Sequence, residues 1–169
     1  MTSCLTSKLG RAASEYPRFA RRPRMQPSPR PLIIDCDPGI DDAIAILLTL
    51  AARDQLNLLG ISTVAGNVPL ELTQTNARKV CELAGVSDVP IYAGCPRPLV
   101  RSLVTAADVH GRTGLDGVAL PAPQLPLQST PAVPWLIDQI MTAPTPVTVV
   151  AIGPLTNLAV ALIQVPELA

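Results

Sequence analysis

Four carboxylates fall within eight residues in the segment Asp35-Cys36-Asp37-Pro38-Gly39-Ile40-Asp41-Asp42. The run before them, Leu32-Ile33-Ile34-Asp35-Cys36, is short, apolar and rich in β-branched residues, and predicts a buried strand. Pro38 and Gly39 break it. From Asp41 the apolar positions Ala43, Ile44, Ile46, Leu47, Leu48 and Leu50 predict a helix with a wide apolar face. Side chains alternate along a strand, so Asp35 and Asp37 share a side, and the turn brings Asp41 and Asp42 back toward Asp37. Acids converging beside a buried strand end repel one another and need a cation, protons or hydrogen-bond donors. An all-oxygen set without His or Cys selects a hard ion, calcium or magnesium. A single Asp at a helix start is ordinarily a cap that meets free N–H groups and the positive end of the dipole. Four acids are more than capping requires.

The elements that must hold this cluster repeat one scheme. Residues 58–64 predict a second strand, ended by Ala65-Gly66-Asn67; residues 69–85 predict a second helix, closed by Gly85; residues 89–92 predict a third strand. Residues 94–130 are rich in Pro and Gly with little periodicity and are expected to form one long loop, a length usually reserved for function. A helix over 131–141, a strand over 147–152 and a helix from Leu155 complete the pattern. Strands alternating with helices predict an α/β fold: a parallel sheet of Rossmann-like topology, with right-handed crossovers and helices on both faces. In such sheets ligands bind beyond the carboxyl ends of the strands. Pro166-Glu167-Leu168-Ala169 begins another helical turn with no final strand, which reads as truncation at the C-terminus.

The segment from Asp35 to Asp42 resembles the N-terminal signature of the inosine-uridine preferring nucleoside hydrolase family. The likeness extends over residues 31–169, as the N-terminal part of such a domain. It implies calcium-dependent hydrolysis of the N-glycosidic bond of ribonucleosides, giving ribose and a free base. Asp37 would then bind Ca2+ and act as general base, and Asp42 would bind the ion through both oxygens. Asp41 would hold a ribose hydroxyl and orient the water, with Asp35 supporting the loop from behind. Asn67, ending Ser62-Thr63-Val64-Ala65-Gly66-Asn67, matches a ribose-contacting Asn, and Ile152 matches a position whose backbone carbonyl ligates calcium. Gly153-Pro154-Leu155-Thr156-Asn157 also resembles the family. His110 is the sole histidine, and by residue type alone it reads as a solvated loop side chain. The resemblance aligns it with a histidine that contacts the nucleobase and assists its departure. The family's remaining calcium-binding Asp and second histidine have no counterpart in these residues. The fragment alone is therefore expected to be inactive, and its open apolar sheet edge to make it poorly soluble.

Composition sets the outer bounds. The net charge of zero hides an asymmetry: residues 1–30 carry seven basic side chains against Glu15, a net +6, so residues 31–169 carry −6. An acidic body suits a cation site better than a nucleic-acid surface, and nucleic-acid binding is not expected. Residues 1–30 read as a basic, disordered extension, with Met25 a candidate true start. There is no secretion signal and no apolar run of membrane-spanning length, so a cytoplasmic protein with free thiols is expected. Cys4, Cys36, Cys81 and Cys95 lack zinc spacing. The resemblance also implies a homo-oligomer for the full-length form. Two rival readings stand beside this one. In one, a haloacid dehalogenase-like phosphatase uses Asp35 as nucleophile. In the other, a non-catalytic truncated paralogue binds sugar or calcium.

Overall fold

In the computed structural model of the chain, residues 28–117 and 119–169 are described. The elements run β1 (Arg30–Cys36), α1 (Ile40–Ala51), β2 (Leu56–Thr63), α2 (Leu70–Leu83), β3 (Ile91–Ala93), α3 (Ala107–His110), α4 (Ala132–Thr142), β4 (Thr148–Ala151) and α5 (Thr156–Gln164), with a closing 3-10 turn at Pro166–Leu168. The four strands form one parallel sheet in the order β3-β2-β1-β4. This is the predicted α/β arrangement. The chain starts at β1, moves outward through β2 and β3, then returns to place β4 on the other side of β1.

Alternation along β1 divides its side chains between two layers. Leu32, Ile34 and Cys36 join Ile46 and Leu50 of α1 and Ala77, Val80 and Cys81 of α2 in one core. Ile33 joins Trp135 and Leu136 of α4, with Leu158 of α5 packed alongside. Helices therefore cover both faces, which explains why β1 is apolar on both sides rather than alternating. Burying each Ile, Leu or Val contributes about 1.5–3 kcal/mol, and Ile33, Ile34, Ile46, Ile61 and Leu136 are all at most 1% exposed. With only one Trp, two Tyr and one Phe in the chain, aliphatic side chains supply nearly all of that core. The exception is Trp135, which stacks on Tyr92 with ring centroids 4.0 Å apart.

Three expectations shift. The expected 1–30 extension overlaps β1, which already begins at Arg30, where Arg30 N donates to Gln55 O at 2.8 Å. The rest of that extension, through residue 27 and including Met25, lies outside the described residues. The third strand falls at Ile91–Ala93, two residues later than its apolar pattern indicated, because pairing with Ile61–Thr63 of β2 fixes its register. The long loop contains α3, a helical turn with no buried side chain and hence no periodic signal to read. No helix among the described residues is long and apolar enough to cross a membrane.

Candidate active site

The strand order reverses between β1 and β4, and the crevice beyond their carboxyl ends is where such sheets bind ligands. Asp35 pairs with Ala151 in register, and Ile152 N continues the ladder to Asp35 O at 2.9 Å. Asp37, just past β1, therefore lies against the loop that follows β4. A Cβ on Gly153 would stand 2.8 Å from Asp37 Oδ1, and one on Gly66, in the loop after β2, would overlap Asp37 Oδ2. Two loops thus reach the Asp37 carboxylate closely enough that only glycine fits at each contact.

Asn67 joins the acids. Its backbone N–H donates to Asp37 Oδ2 at 2.6 Å, and its Nδ2 donates to Asp37 O at 3.0 Å and to Asp42 Oδ2 at 3.4 Å. Asp42 Oδ2 also accepts from Gly39 N at 3.2 Å, reaching back from the first turn of α1 as a capping carboxylate does. Its other oxygen, Oδ1, is buried and has no hydrogen-bond partner among the described residues. Burial pushes the Asp42 carboxyl up to about 6, with the neighbouring Asp37 charge adding to the rise. Asp37 is also raised, chiefly by burial, while the Asn67 backbone N–H pulls it back. A buried pair of like charges with one orphan oxygen is an arrangement that a cation would relieve. The donors are hard oxygens, so the pair fits calcium or magnesium rather than a soft metal.

The four acids of the signature do not form one cage. Among the described residues, no three His, Cys, Asp or Glu side chains are grouped to hold a metal. Asp35 has withdrawn into the sheet: fully buried, its Oδ1 accepts from Ser62 Oγ at 2.5 Å and Asn157 Nδ2 at 2.7 Å. Burial raises its carboxyl, and those two donors oppose the rise. A side chain enclosed in this way cannot serve as the exposed nucleophile that the phosphatase reading requires. Asp41 goes the other way, with its side chain 82% exposed at the mouth of the site. Asp37 and Asp42 remain as the pair. Ile152, the first position after β4, donates its N–H to Asp35 O at 2.9 Å, and the next residue, Gly153, is the one that lies against Asp37.

His110 is not a solvated loop residue. It ends α3 with its side chain only 14% exposed, and its Nδ1 accepts from Ile40 N at 3.4 Å, at the start of α1. The ring lies so close to Gly39 that a Cβ there would be 2.6 Å from Nδ1. With Nδ1 accepting, the neutral ring carries its proton on Nε2, which lies 4.0 Å from Asp41 Oδ1. His110 and Asp41 thus stand together on the rim, above the buried pair.

Two buried amides have no counterpart among the candidates read from sequence. Asn157 Nδ2 reaches Asp35 and Thr63 O (3.1 Å), and its Oδ1 accepts from Cys95 N at 2.8 Å, so it joins the ends of β1, β2 and β3. Its position in Gly153-Pro154-Leu155-Thr156-Asn157 was the available signal. Asn76 on α2 falls among the buried residues Thr73, Ala77 and Val80, and an amide on the helix face that carries Ala77 and Val80 could have marked it.

The sequence profile described as Inosine-uridine preferring nucleoside hydrolase matches residues 32–169. A pyrimidine-specific ribonucleoside hydrolase, RihA of Shewanella sp. (strain MR-4), is 48% identical over 139 residues, which cover 82% of this chain and 43% of that protein. An uncharacterized protein of Schizosaccharomyces pombe is 47% identical over 137 residues, covering 80% of this chain and 44% of its own length. The solved structure of a plant nucleoside hydrolase, PpNRh1, superposes with a TM-score of 0.75 at 36% identity, covering 83% of this chain and 45% of that one. The chain therefore spans less than half the length of these relatives. The acid signature, the sheet order and the match along residues 32–169 agree, and they place this chain in the inosine-uridine preferring nucleoside hydrolase family.

Proposed function

We propose that this crevice serves the calcium-dependent hydrolysis of ribonucleosides to ribose and free base. The observation that carries the reading is the unpartnered, buried Asp42 Oδ1 beside Asp37. Asp37 and Asp42, with the backbone carbonyl of Ile152, would hold Ca2+. When bound, that ion supplies positive charge that polarises a water and binds the sugar diol. Asp37 takes the proton of the attacking water, a role that suits a buried carboxyl whose proton affinity is already raised. Asp41, exposed at the mouth, orients a ribose hydroxyl, and Asn67 holds another while fixing both acids. The sugar acquires cationic character as the base departs, and the surrounding carboxylates favour that charge. His110 contacts the nucleobase and offers the Nε2 proton to it. Asp35, held by Ser62 and Asn157, keeps the strand end in place rather than touching substrate.

A substrate gripped by two adjacent hydroxyls is a riboside rather than a 2′-deoxyriboside. A homo-oligomeric, cytoplasmic enzyme is the corresponding proposal for the full-length form. In this chain two carboxylates and a carbonyl would bind the ion weakly, so binding without measurable turnover is expected. Titration calorimetry tests the reading. Calcium should bind the wild-type chain and fail to bind the Asp42→Ala variant. In its presence, uridine should bind more tightly than 2′-deoxyuridine. A folded chain that takes up neither calcium nor uridine would overturn the proposal.

A further inference from the structure

Asn76 has no part in the roles above, yet it is 1% exposed and uses both protons of its amide. Nδ2 donates to Pro38 O at 3.0 Å, in the turn that follows Asp37, and to Thr113 O at 2.7 Å, in the turn that follows α3. A buried amide on a helix costs desolvation that only such bonds offset. The second turn is closed by Asp116, whose carboxylate accepts from Arg112 N at 2.8 Å, from Thr113 N at 3.2 Å and from the Thr113 hydroxyl. Asp116 N returns to His110 O at 3.4 Å. The contacts form a closed circuit: His110, its turn, Asn76, Pro38, Gly39, and the His110 ring again. Gly114, at φ +85°, lets the turn lie flat on the amide, since a Cβ there would be 2.8 Å from Asn76 Nδ2. The helix carrying His110 has no fully buried side chain, and the His110 ring, 14% exposed, is the part of it drawn inward. It is held at its start by Ala106 N donating to Asn67 O at 2.9 Å, and beyond its end by Asn76.

We propose that Asn76 is a positioning residue, whose amide fastens the 111–117 turn to the Pro38 carbonyl and so keeps the His110 ring over Gly39, beside Asp41 at the start of α1. The value of that placement for catalysis rests on the reading of His110 as a nucleobase contact. The placement itself does not.

Because His110 is the sole histidine, its ring gives one unambiguous set of NMR signals. The test is the nuclear Overhauser effect between the His110 Hε1 and the Gly39 Hα protons, in wild type and in Asn76→Ala, Gly114→Ala and Thr73→Ala. Thr73 is buried on the same helix, but among the described residues its hydroxyl bonds only to Leu70 O, so its variant controls for general loosening. The effect should be present in wild type and Thr73→Ala. It should be lost in Asn76→Ala and Gly114→Ala, with ring shifts moving to those of an exposed imidazole while the amides of β1 and β2 stay protected. Persistence of the effect in folded Asn76→Ala overturns the proposal, as does persistence in Gly114→Ala should Asn76→Ala fail to fold. Equal loss in Thr73→Ala also overturns it. Failure of uridine to bind wild type would instead strike the functional reading and leave this one standing.

Discussion

Asn67 bonds to Asp37 through its backbone and to Asp42 through its side chain, so one residue sets the separation of the two buried acids. In Asn67→Ala the backbone bond survives and the side-chain bonds to Asp37 O and Asp42 are lost. Net loss of a hydrogen bond to a charged group costs about 1.5–3 kcal/mol. Calcium affinity, measured by calorimetry, should fall roughly tenfold or more for a change of that size. An unchanged affinity would remove Asn67 from the site.

The raised Asp42 carboxyl makes a signed prediction about pH. An unperturbed Asp titrates near 3.8 and Asp42 near 6, so between those values the folded chain holds a proton that the unfolded chain has released. The contribution of Asp42 to stability without metal should therefore be present below about pH 4, fall away as pH rises to about 6, and stay lost above it, by at most on the order of 3 kcal/mol before solvent screening reduces it. Calcium competes with that proton, so its affinity should rise through the same window. Urea melts at pH 4.5 and 7.5, in chelator and in calcium, measure both effects. An Asp42→Asn variant with the wild-type pH profile would disprove the assignment.

Removing Asn157 should be felt in the fold before the site. Asn157→Ala takes a donor from the buried Asp35 carboxylate and leaves Thr63 O and Cys95 N without their Asn157 bonds. Leaving buried polar groups unsatisfied costs about 1–3 kcal/mol each. A loss of 3 kcal/mol or more in urea unfolding is expected, whereas a loss below 1 kcal/mol would show that these bonds matter little.

Gly39→Ala separates nucleobase recognition from metal binding. The new Cβ would sit 2.6 Å from His110 Nδ1, while Gly39 N can still donate to Asp42. The ring must move, so uridine affinity should weaken by about tenfold, some 1.4 kcal/mol, with calcium affinity unchanged. Parallel loss of both would mean that the rim and the buried pair are not independent.

Elements with a repeating pattern were legible in the sequence. The apolar run of β1 states that both its faces are buried, and the alternation of strand and helix gives the parallel sheet, but the wide apolar face read for α1 was too wide: Ile46 and Leu50 are buried, whereas Ile44 and Leu48 are 54% and 65% exposed. The convergence of Asp37 and Asp42 was legible in the sequence, but the internal division of the acid cluster was not. Period-two alternation places Asp35 and Asp37 on one side, yet says nothing of Ser62, 27 residues away, or Asn157, 122 residues away, whose bonds draw Asp35 inward. The burial of His110 was hidden for the same reason. Its neighbours Gly39 and Ile40 lie 71 and 70 residues earlier, in a contact that no local pattern encodes.

Trp135 is the single indole of the chain, and it stacks on Tyr92 on the α4 side of the sheet, where Gly60 leaves room for the ring. Its emission therefore reports whether α4 is docked, and it draws on none of the acids beyond β1. Fluorescence can follow the integrity of the scaffold in every variant above, giving a clock for unfolding that ticks apart from the chemistry.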